Sequence, residues 1–148
     1  MKNVLFLCRT NNCLSLMAEA YMSAAGRGVW RPWSAAVEAA GDVDPQLPEF
    51  LKRVGLRKLN LYSKSWNTFA VHGAPRLDLA VLIRGDFDAL SFPDLPGPPE
   101  HMTWSISSPV ATEAASGGDH LLLRAFAEIR RQTDSLLLAR PGLERRTA

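Results

Sequence analysis

The chain alternates between strand-like and helix-like patterns of apolar and polar residues. Residues 2–8 form a short apolar run (KNVLFLC) followed by Asn/Thr turn chemistry, which predicts a buried strand. Within residues 14–25, apolar side chains recur every three or four positions before Gly26, which predicts an amphipathic helix. Residues 29–36 form a second candidate strand, and Pro32 favours an edge position for it.

The same alternation continues through the middle of the chain. Residues 44–55 open with Asp-Pro, carry an apolar stripe and close on Gly55, which is the pattern of a capped helix. Either Ser63 or Ser65 is expected to cap a short helical turn that reaches Phe69. These signals predict one helix and one short turn between the second and third strands.

The last part of the chain contains a strand, a loop-rich stretch and a long helix. Residues 77–83 (LDLAVLI) read as another buried strand. Residues 84–118 are rich in Pro and Gly and predict loops, with a short strand near residues 102–106. Asp119 is expected to cap an amphipathic helix that continues to about residue 139.

Strands separated by helices predict a single α/β domain over residues 1–148. The expected architecture has three layers, with a central four-stranded parallel sheet and helices on both faces. Ligand sites in such sheets lie beyond the carboxyl ends of the strands. The first strand ends at Cys8, so this end of the sheet is where we expect a functional site.

Composition narrows the class of protein. Apolar residues make up 47% of the chain and charged residues 22%, which is typical of a globular protein. A net charge of +2 does not favour nucleic acid or a membrane as partner. No apolar run is long enough for an export signal or a membrane span, so a cytoplasmic setting without structural disulfides is expected. The three histidines have no metal-binding spacing, and no cofactor is expected.

The loop after the first strand carries the candidate chemistry. Residues 8–15 read Cys-Arg-Thr-Asn-Asn-Cys-Leu-Ser and connect a buried strand to a helix. Backbone amides and a helix N-terminus at such a place favour an anion and the thiolate form of Cys8. Asn11 tolerates the positive φ that a tight anion-binding turn requires. The expected anion-binding residues of the loop are Arg9, Thr10, Asn11, Asn12, Cys13 and Leu14.

Residues 4–22 (VLFLCRTNNCLSLMAEAYM) resemble the phosphate-binding loop and first helix of low-molecular-weight protein tyrosine phosphatases and their arsenate reductase relatives. Further similar segments are Val-Asp-Pro at residues 43–45, SKSWNTF at residues 63–69 and Gly-Ala-Pro at residues 73–75. The resemblance spans nearly the whole chain. It implies the phosphatase fold and a phosphate-like oxyanion or phosphorylated compound as ligand.

Carried over residue by residue, the resemblance places Cys8 at the nucleophile and Ser15 at the hydroxyl that hydrogen-bonds it. Asn11 falls on the loop asparagine. Leu14, however, stands where the family has the arginine that grips the oxyanion, and Ser108 stands where it has the general-acid aspartate. Loss of such an oxyanion donor costs roughly 10²–10³ in rate, and loss of a general acid roughly 10²–10⁴. The resemblance therefore implies a weak or inactive member.

Two further expectations concern cysteines and cations. The extra cysteines that relay a disulfide in the arsenate reductase branch correspond here to Arg84 and Phe92. Only Cys8 and Cys13 remain, and they resemble a pair that protects the nucleophile as a reversible disulfide. Arg84 ends a parallel strand and is a candidate replacement for the missing loop arginine.

Three hypotheses follow from the sequence. In the first, a degenerate member binds an anion or a protein partner, or responds to oxidation of Cys8 and Cys13. In the second, an active phosphatase or arsenate reductase uses a Cys8 thiolate intermediate with a substitute cation and acid. In the third, a partner-binding module has closed its pocket over Leu14.

Overall fold

The computed structural model describes residues 1–57, 60–85, 89–106 and 110–140, with the side chains of residues 110–119 excepted. In the described part of the chain, no helix is long and apolar enough to cross a membrane. The elements, in chain order, are β1 (Lys2–Cys8), α1 (Leu14–Ala25), β2 (Trp30–Ala36), α2 (Leu47–Arg53), the 3₁₀ turn Trp66–Phe69, β3 (Leu79–Arg84), β4 (Glu100–Ser105) and α3 (Val110–Ala139).

The four strands form one parallel sheet in the order β2-β1-β3-β4. This confirms the predicted α/β fold with a four-stranded parallel sheet. The chain leaves β1 toward β2 on one side and later enters β3 on the other side of β1. A crevice opens at the carboxyl end of a sheet where the strand order reverses in this way. Cys8 is the last residue of β1 and therefore lies at that crevice.

The side chains of β1 alternate between two hydrophobic clusters. Val4, Phe6 and Cys8 face the cluster to which all three α-helices contribute. Leu5 and Leu7 face a smaller cluster that includes residues of the 3₁₀ turn and of the irregular chain. Helices therefore cover the two faces unequally, because in the described part of the chain the 3₁₀ turn is the one helical element packed on the second face.

The predicted bounds of β1 and α1 are confirmed, and β2 is an edge strand as its proline indicates. Ser65 is the cap of the 3₁₀ turn, because its hydroxyl accepts a hydrogen bond from the Asn67 amide at 3.2 Å. The start of α2 was predicted too early. Asp44 Oδ1 accepts from the Gln46 amide at 2.9 Å in a local turn, and the helix begins at Leu47.

The largest difference from the sequence prediction is the start of α3. This helix begins at Val110, whereas the Gly-Gly-Asp sequence at residues 117–119 predicted a loop and a cap at Asp119. Residues 111–116 (ATEAAS) include three alanines and a glutamate, which have high helix propensity. The two glycines that follow weaken a helix by about 1 kcal/mol each without ending it.

Candidate anion-binding site

The loop between β1 and α1 is held in place through its carbonyl groups. Four carbonyls of residues 8–12 accept hydrogen bonds of 2.8–3.0 Å from amides of the segment 37–44. The donor–acceptor pairs are Val37 to Cys8, Glu38 to Arg9, Gly41 to Thr10 and Asp44 to Asn12. The segment after β2 therefore fixes the loop from one side.

The amides of this loop face the other way. The N–H and C=O groups of a trans peptide point in opposite directions, so the amides that follow these carbonyls point away from segment 37–44. Within the described part of the chain, the amides of residues 10–16 donate to no backbone carbonyl. The last of them belong to the first turn of α1, whose N–H groups have no partner within the helix. We call residues 8–16 the amide loop; the inward-facing amides of residues 10–16 and the helix N-terminus suit an oxyanion.

The Cys8 thiol is part of a buried hydrogen-bonded network. Cys8 Sγ lies 2.9 Å from Ser15 Oγ, and Asn11 Nδ2 donates to the same Oγ at 2.7 Å. Because the Ser15 oxygen already accepts from Asn11, its hydroxyl proton is free to be donated to the sulfur. A hydrogen bond to sulfur is worth most when the sulfur carries negative charge. The network therefore holds a hydroxyl group directly against the Cys8 sulfur.

Asn11 shapes the amide loop as well as supporting the network. Its φ of 54° lies in the left-handed region, as its residue type predicts. Its side-chain oxygen accepts from the Lys64 amide at 2.9 Å, and its main-chain carbonyl accepts from the Ser63 hydroxyl. Asn11 is fully buried, so each of these bonds satisfies a group that water cannot reach.

The second cysteine differs from the first. Cys13 is 2% exposed and precedes the first residue of α1. Burial raises the pKa of its thiol, and the negative charges of Asp44 and Cys8 raise it further. Cys13 therefore remains a thiol at neutral pH, and both cysteines are free in the structure.

Two side chains of the amide loop, Arg9 and Leu14, have contacts outside it. The Arg9 guanidinium is 2.6 Å from Glu38 Oε2 in a solvent-exposed ion pair. Leu14 is half-buried and packs against the larger hydrophobic cluster. This position offers an apolar side chain where the predicted ligand is anionic.

Sequence comparison identifies relatives that cover most of the chain. "Arsenate reductase 2" of Staphylococcus epidermidis is 31% identical over 108 residues, which is 73% of this chain and 79% of the relative. An arsenate reductase of Bacillus cereus is 30% identical over 112 residues, or 76% and 80% of the two chains. The chain belongs to the arsenate reductase and low-molecular-weight tyrosine phosphatase family. No protein-family model matches the sequence.

Solved structures agree with this family membership. The crystal structure of arsenate reductase from Archaeoglobus fulgidus superposes with a TM-score of 0.72 at 27% identity, covering 90% of this chain and 98% of that one. Tyrosine phosphatase amsI of Erwinia amylovora gives a TM-score of 0.63 at 14% identity, covering 90% and 92% of the two chains. The second likeness shows the fold alone.

Three further residues were predicted at functional positions of the family: Arg84, Phe92 and Ser108. Arg84 Nη1 donates to the Leu90 carbonyl at 2.8 Å, and by strand alternation Arg84 lies on the sheet face opposite Cys8. The structure thus does not bring the predicted substitute cation to the amide loop.

Phe92 stacks on His101 with ring centroids 3.9 Å apart. Ser108, predicted at the general-acid position, lies outside the described residues. No group of three or more potential metal ligands occurs among the residues that the structure describes.

Sequence reasoning missed the residues that brace the amide loop from a distance. Ser63 and Lys64 reach Asn11, and Asp44 hydrogen-bonds the loop backbone while acting electrostatically on Cys13. The sequence carried a partial signal for them, because all three lie in segments that resemble the family, residues 43–45 and 63–69. Their contacts span more than 30 residues of sequence, so local periodicity could not reveal them.

Proposed function

We propose that this member of the family binds a phosphate-like oxyanion in the amide loop, over the Cys8 thiol, and turns such compounds over slowly or not at all. The proposal rests on a comparison of this site with the family's site: the amide loop and the support of the Cys8 sulfur are present, and the loop arginine is absent. The carbonyls of the loop are bonded outward, which leaves its amides for a ligand. Ser15 and Asn11 support the Cys8 sulfur. Leu14 occupies the place of the family's oxyanion-gripping arginine.

Phosphatase turnover needs more than the nucleophile. An arginine fork donates two parallel charge-assisted hydrogen bonds to a phosphoryl group, and leucine donates none. Loss of one such transition-state donor costs roughly 10²–10³ in rate. Ser108 has no carboxyl proton to give a leaving group, and residues 101–112 contain no Asp or Glu. Binding by neutral amides survives these losses better than catalysis does.

Arsenate reduction needs two electrons from a thiol pair. Attack of Cys8 on arsenate, followed by attack of a second thiol on the Cys8 sulfur, would release arsenite and leave a disulfide. The chain contains two cysteines, so an intramolecular reaction has only Cys13 as its second thiol. Burial and neighbouring negative charge hold Cys13 in its protonated form, and the protonated thiol is the unreactive form.

Protection of Cys8 against alkylation tests the binding half of the proposal. We expect phosphate and arsenate at millimolar concentration to slow the reaction of Cys8 with iodoacetamide, as followed by mass spectrometry of the Cys13→Ser variant. Chloride at equal ionic strength is the control and should not protect. Equal alkylation rates with phosphate and chloride would overturn oxyanion binding and favour a pocket closed over Leu14.

Hydrolysis of p-nitrophenyl phosphate tests the catalytic half, because its leaving group scarcely requires a general acid. We expect the unmodified protein to be close to the Cys8→Ser background. Substantial turnover that is lost in Cys8→Ser would contradict the proposal and establish an active enzyme. A parallel assay of arsenate reduction with an external thiol tests the second activity of the family against the same Cys8→Ser background.

Replacing Leu14 with arginine tests whether the missing loop arginine is the reason for the low turnover. Leu14→Arg should raise phosphate ester turnover by about 10²-fold, because it restores a bidentate oxyanion donor. Leu14→Lys is the matched charge control and should recover much less, since an ammonium ion lacks the planar fork. Leu14→Met, which is uncharged and of similar volume, should leave the rate unchanged. Adding Ser108→Asp to Leu14→Arg should increase the rate again.

A further inference from the structure

A second candidate site lies away from the amide loop, along the outer face of α3. Here a groove of about 930 Å³ runs between α3, the second half of α1 and the chain that follows α2. Tyr21, its residue on α1, is seven positions after Leu14, or roughly 10 Å along the helix axis. We call this feature the α3 groove. None of the contacts of the amide loop described above involves it.

The floor and both ends of the α3 groove are apolar. Tyr21 and Phe126 meet edge to face in the floor, with ring centroids 5.8 Å apart. Val54 and Leu56 form the wall that follows α2. Leu123 and Leu138 lie on the outer face of α3, where they are 52% and 84% exposed. Large apolar side chains that continue a groove in this way are typical of a surface that binds another molecule.

The charges around the α3 groove are predominantly positive. Arg130 and Arg131 line it, and Asp134 is the one acidic residue among its described lining. That carboxylate accepts a hydrogen bond from the Tyr21 hydroxyl at 2.6 Å, and Arg130 interacts with the same hydroxyl. The exposed side chains of Lys52 and Arg57 flank the wall in sequence. An occupant must therefore offer apolar side chains flanked by negative charge.

We propose that the α3 groove docks an acidic amphipathic segment of a partner protein. The lining residues that α3 contributes recur every three or four positions from Leu123 to Leu138, and one continuous helix face of this kind suits a partner helix laid into the groove. The charge argues against a second copy of this chain. In a symmetric pair, the same face meets itself, so the arginines of the two copies would come together.

Two synthetic peptides of roughly 16 residues, long enough to form a helix, provide the probe. Both carry leucines at helical i, i+4 and i+7 spacing; one has glutamates at the remaining positions and the other has lysines. We expect binding of the acidic peptide alone, measured by fluorescence anisotropy with the full-length protein. Its affinity should weaken as salt rises and the Debye length falls from about 10 Å at 0.1 M to about 3 Å at 1 M.

Matched variants locate the binding. Leu138→Ser and Arg131→Glu should each weaken the affinity for the acidic peptide by about tenfold. The first removes an exposed apolar side chain of the groove, and the second replaces a positive charge by a negative one. Arg124→Glu is the control on the same helix, because this exposed arginine does not line the groove, and it should bind like the unmodified protein.

Three results would overturn the proposal. The first is equal or absent binding of the two peptides. The second is a dimer in sedimentation that Leu138→Ser dissociates, which would assign the groove to a second copy. The third is peptide binding that appears only after deletion of residues 141–148, which would assign it to the chain's own C-terminal segment. None of these measurements depends on the activity of Cys8.

Discussion

Cys8 Sγ and Ser15 Oγ lie 2.9 Å apart in the buried floor of the amide loop, although the two residues are seven positions apart in sequence. Cys8 ends β1, and Ser15 is the second residue of α1, so the loop between them must turn back on itself. The Asn11 side chain donates to the same hydroxyl oxygen, and the Ser15 proton is available to the sulfur. From this relationship we expect Ser15 to influence the reactivity of Cys8.

Ser15→Ala should therefore slow the alkylation of Cys8 by iodoacetamide at pH 7 roughly three- to tenfold. A hydrogen bond to a charged group is worth about 1.5–3 kcal/mol, and higher intrinsic nucleophilicity of the less stabilised thiolate offsets part of that loss. Ser23→Ala is the matched control, because its hydroxyl donates to the Glu19 carbonyl farther along the same helix. If both variants react alike, Ser15 has no special influence on the thiol.

Asn11 should be required for stability through both its backbone and its side chain. Asn11→Gly keeps the positive φ but loses the bonds to Ser15 and to the Lys64 amide, at a cost of about 1–3 kcal/mol. Asn11→Ala should lose about 1 kcal/mol more, because alanine is strained in the left-handed region. Urea unfolding of both variants measures the difference, and equal stabilities would show that the backbone is not constrained there.

Disulfide formation between Cys8 and Cys13 should be slow at neutral pH and faster in alkali. Once peroxide has converted Cys8 to a sulfenic acid, the Cys13 thiolate must attack that sulfur and expel hydroxide. The raised pKa of Cys13 keeps its thiolate scarce, so the rate should rise about tenfold per pH unit between about pH 7 and 9. Mass spectrometry follows the loss of water, and Cys13→Ser should retain the sulfenic acid. A rate independent of pH would contradict this account.

The pair formed by Glu100 and Arg140 should make a pH-dependent contribution to stability. Two hydrogen bonds join the guanidinium after α3 to the carboxylate at the start of β4. Arg140 lowers the pKa of Glu100, so folding favours the carboxylate. The resulting stabilisation is present above the usual glutamate pKa of about 4.3 and is lost as the pH falls through the lower folded value.

Glu100→Gln should accordingly lower the urea midpoint slightly at pH 7 and have a smaller effect at about pH 3. Asp94→Asn, at another exposed acid, is the control for a general loss of negative charge. The proposed linkage fails if the difference between Glu100→Gln and the unmodified protein is the same at both pH values.

Much of the amide loop could be predicted from the sequence. Its position between β1 and α1 and the left-handed Asn11 follow from residues within one short segment, and the family resemblance implied the proximity of Cys8 to Ser15. The sheet face on which the Arg84 side chain lies was not predicted from the sequence. The rule that ligands bind at the carboxyl ends of strands does not say which face of the sheet a side chain takes. Strand alternation places Arg84 on the sheet face away from Cys8, and its guanidinium donates to the Leu90 carbonyl.

The sequence by itself determined the α/β class, the parallel sheet, the bounds of β1 and α1 and the family, because apolar periodicity and short motifs are local properties. Only the tertiary structure decided how the amide loop is braced, since its partners in residues 37–44 and 63–64 are distant along the chain. Tertiary structure likewise created the α3 groove, whose walls come from three separate elements. Contacts between distant segments depend on how the elements pack, and no local pattern encodes that packing.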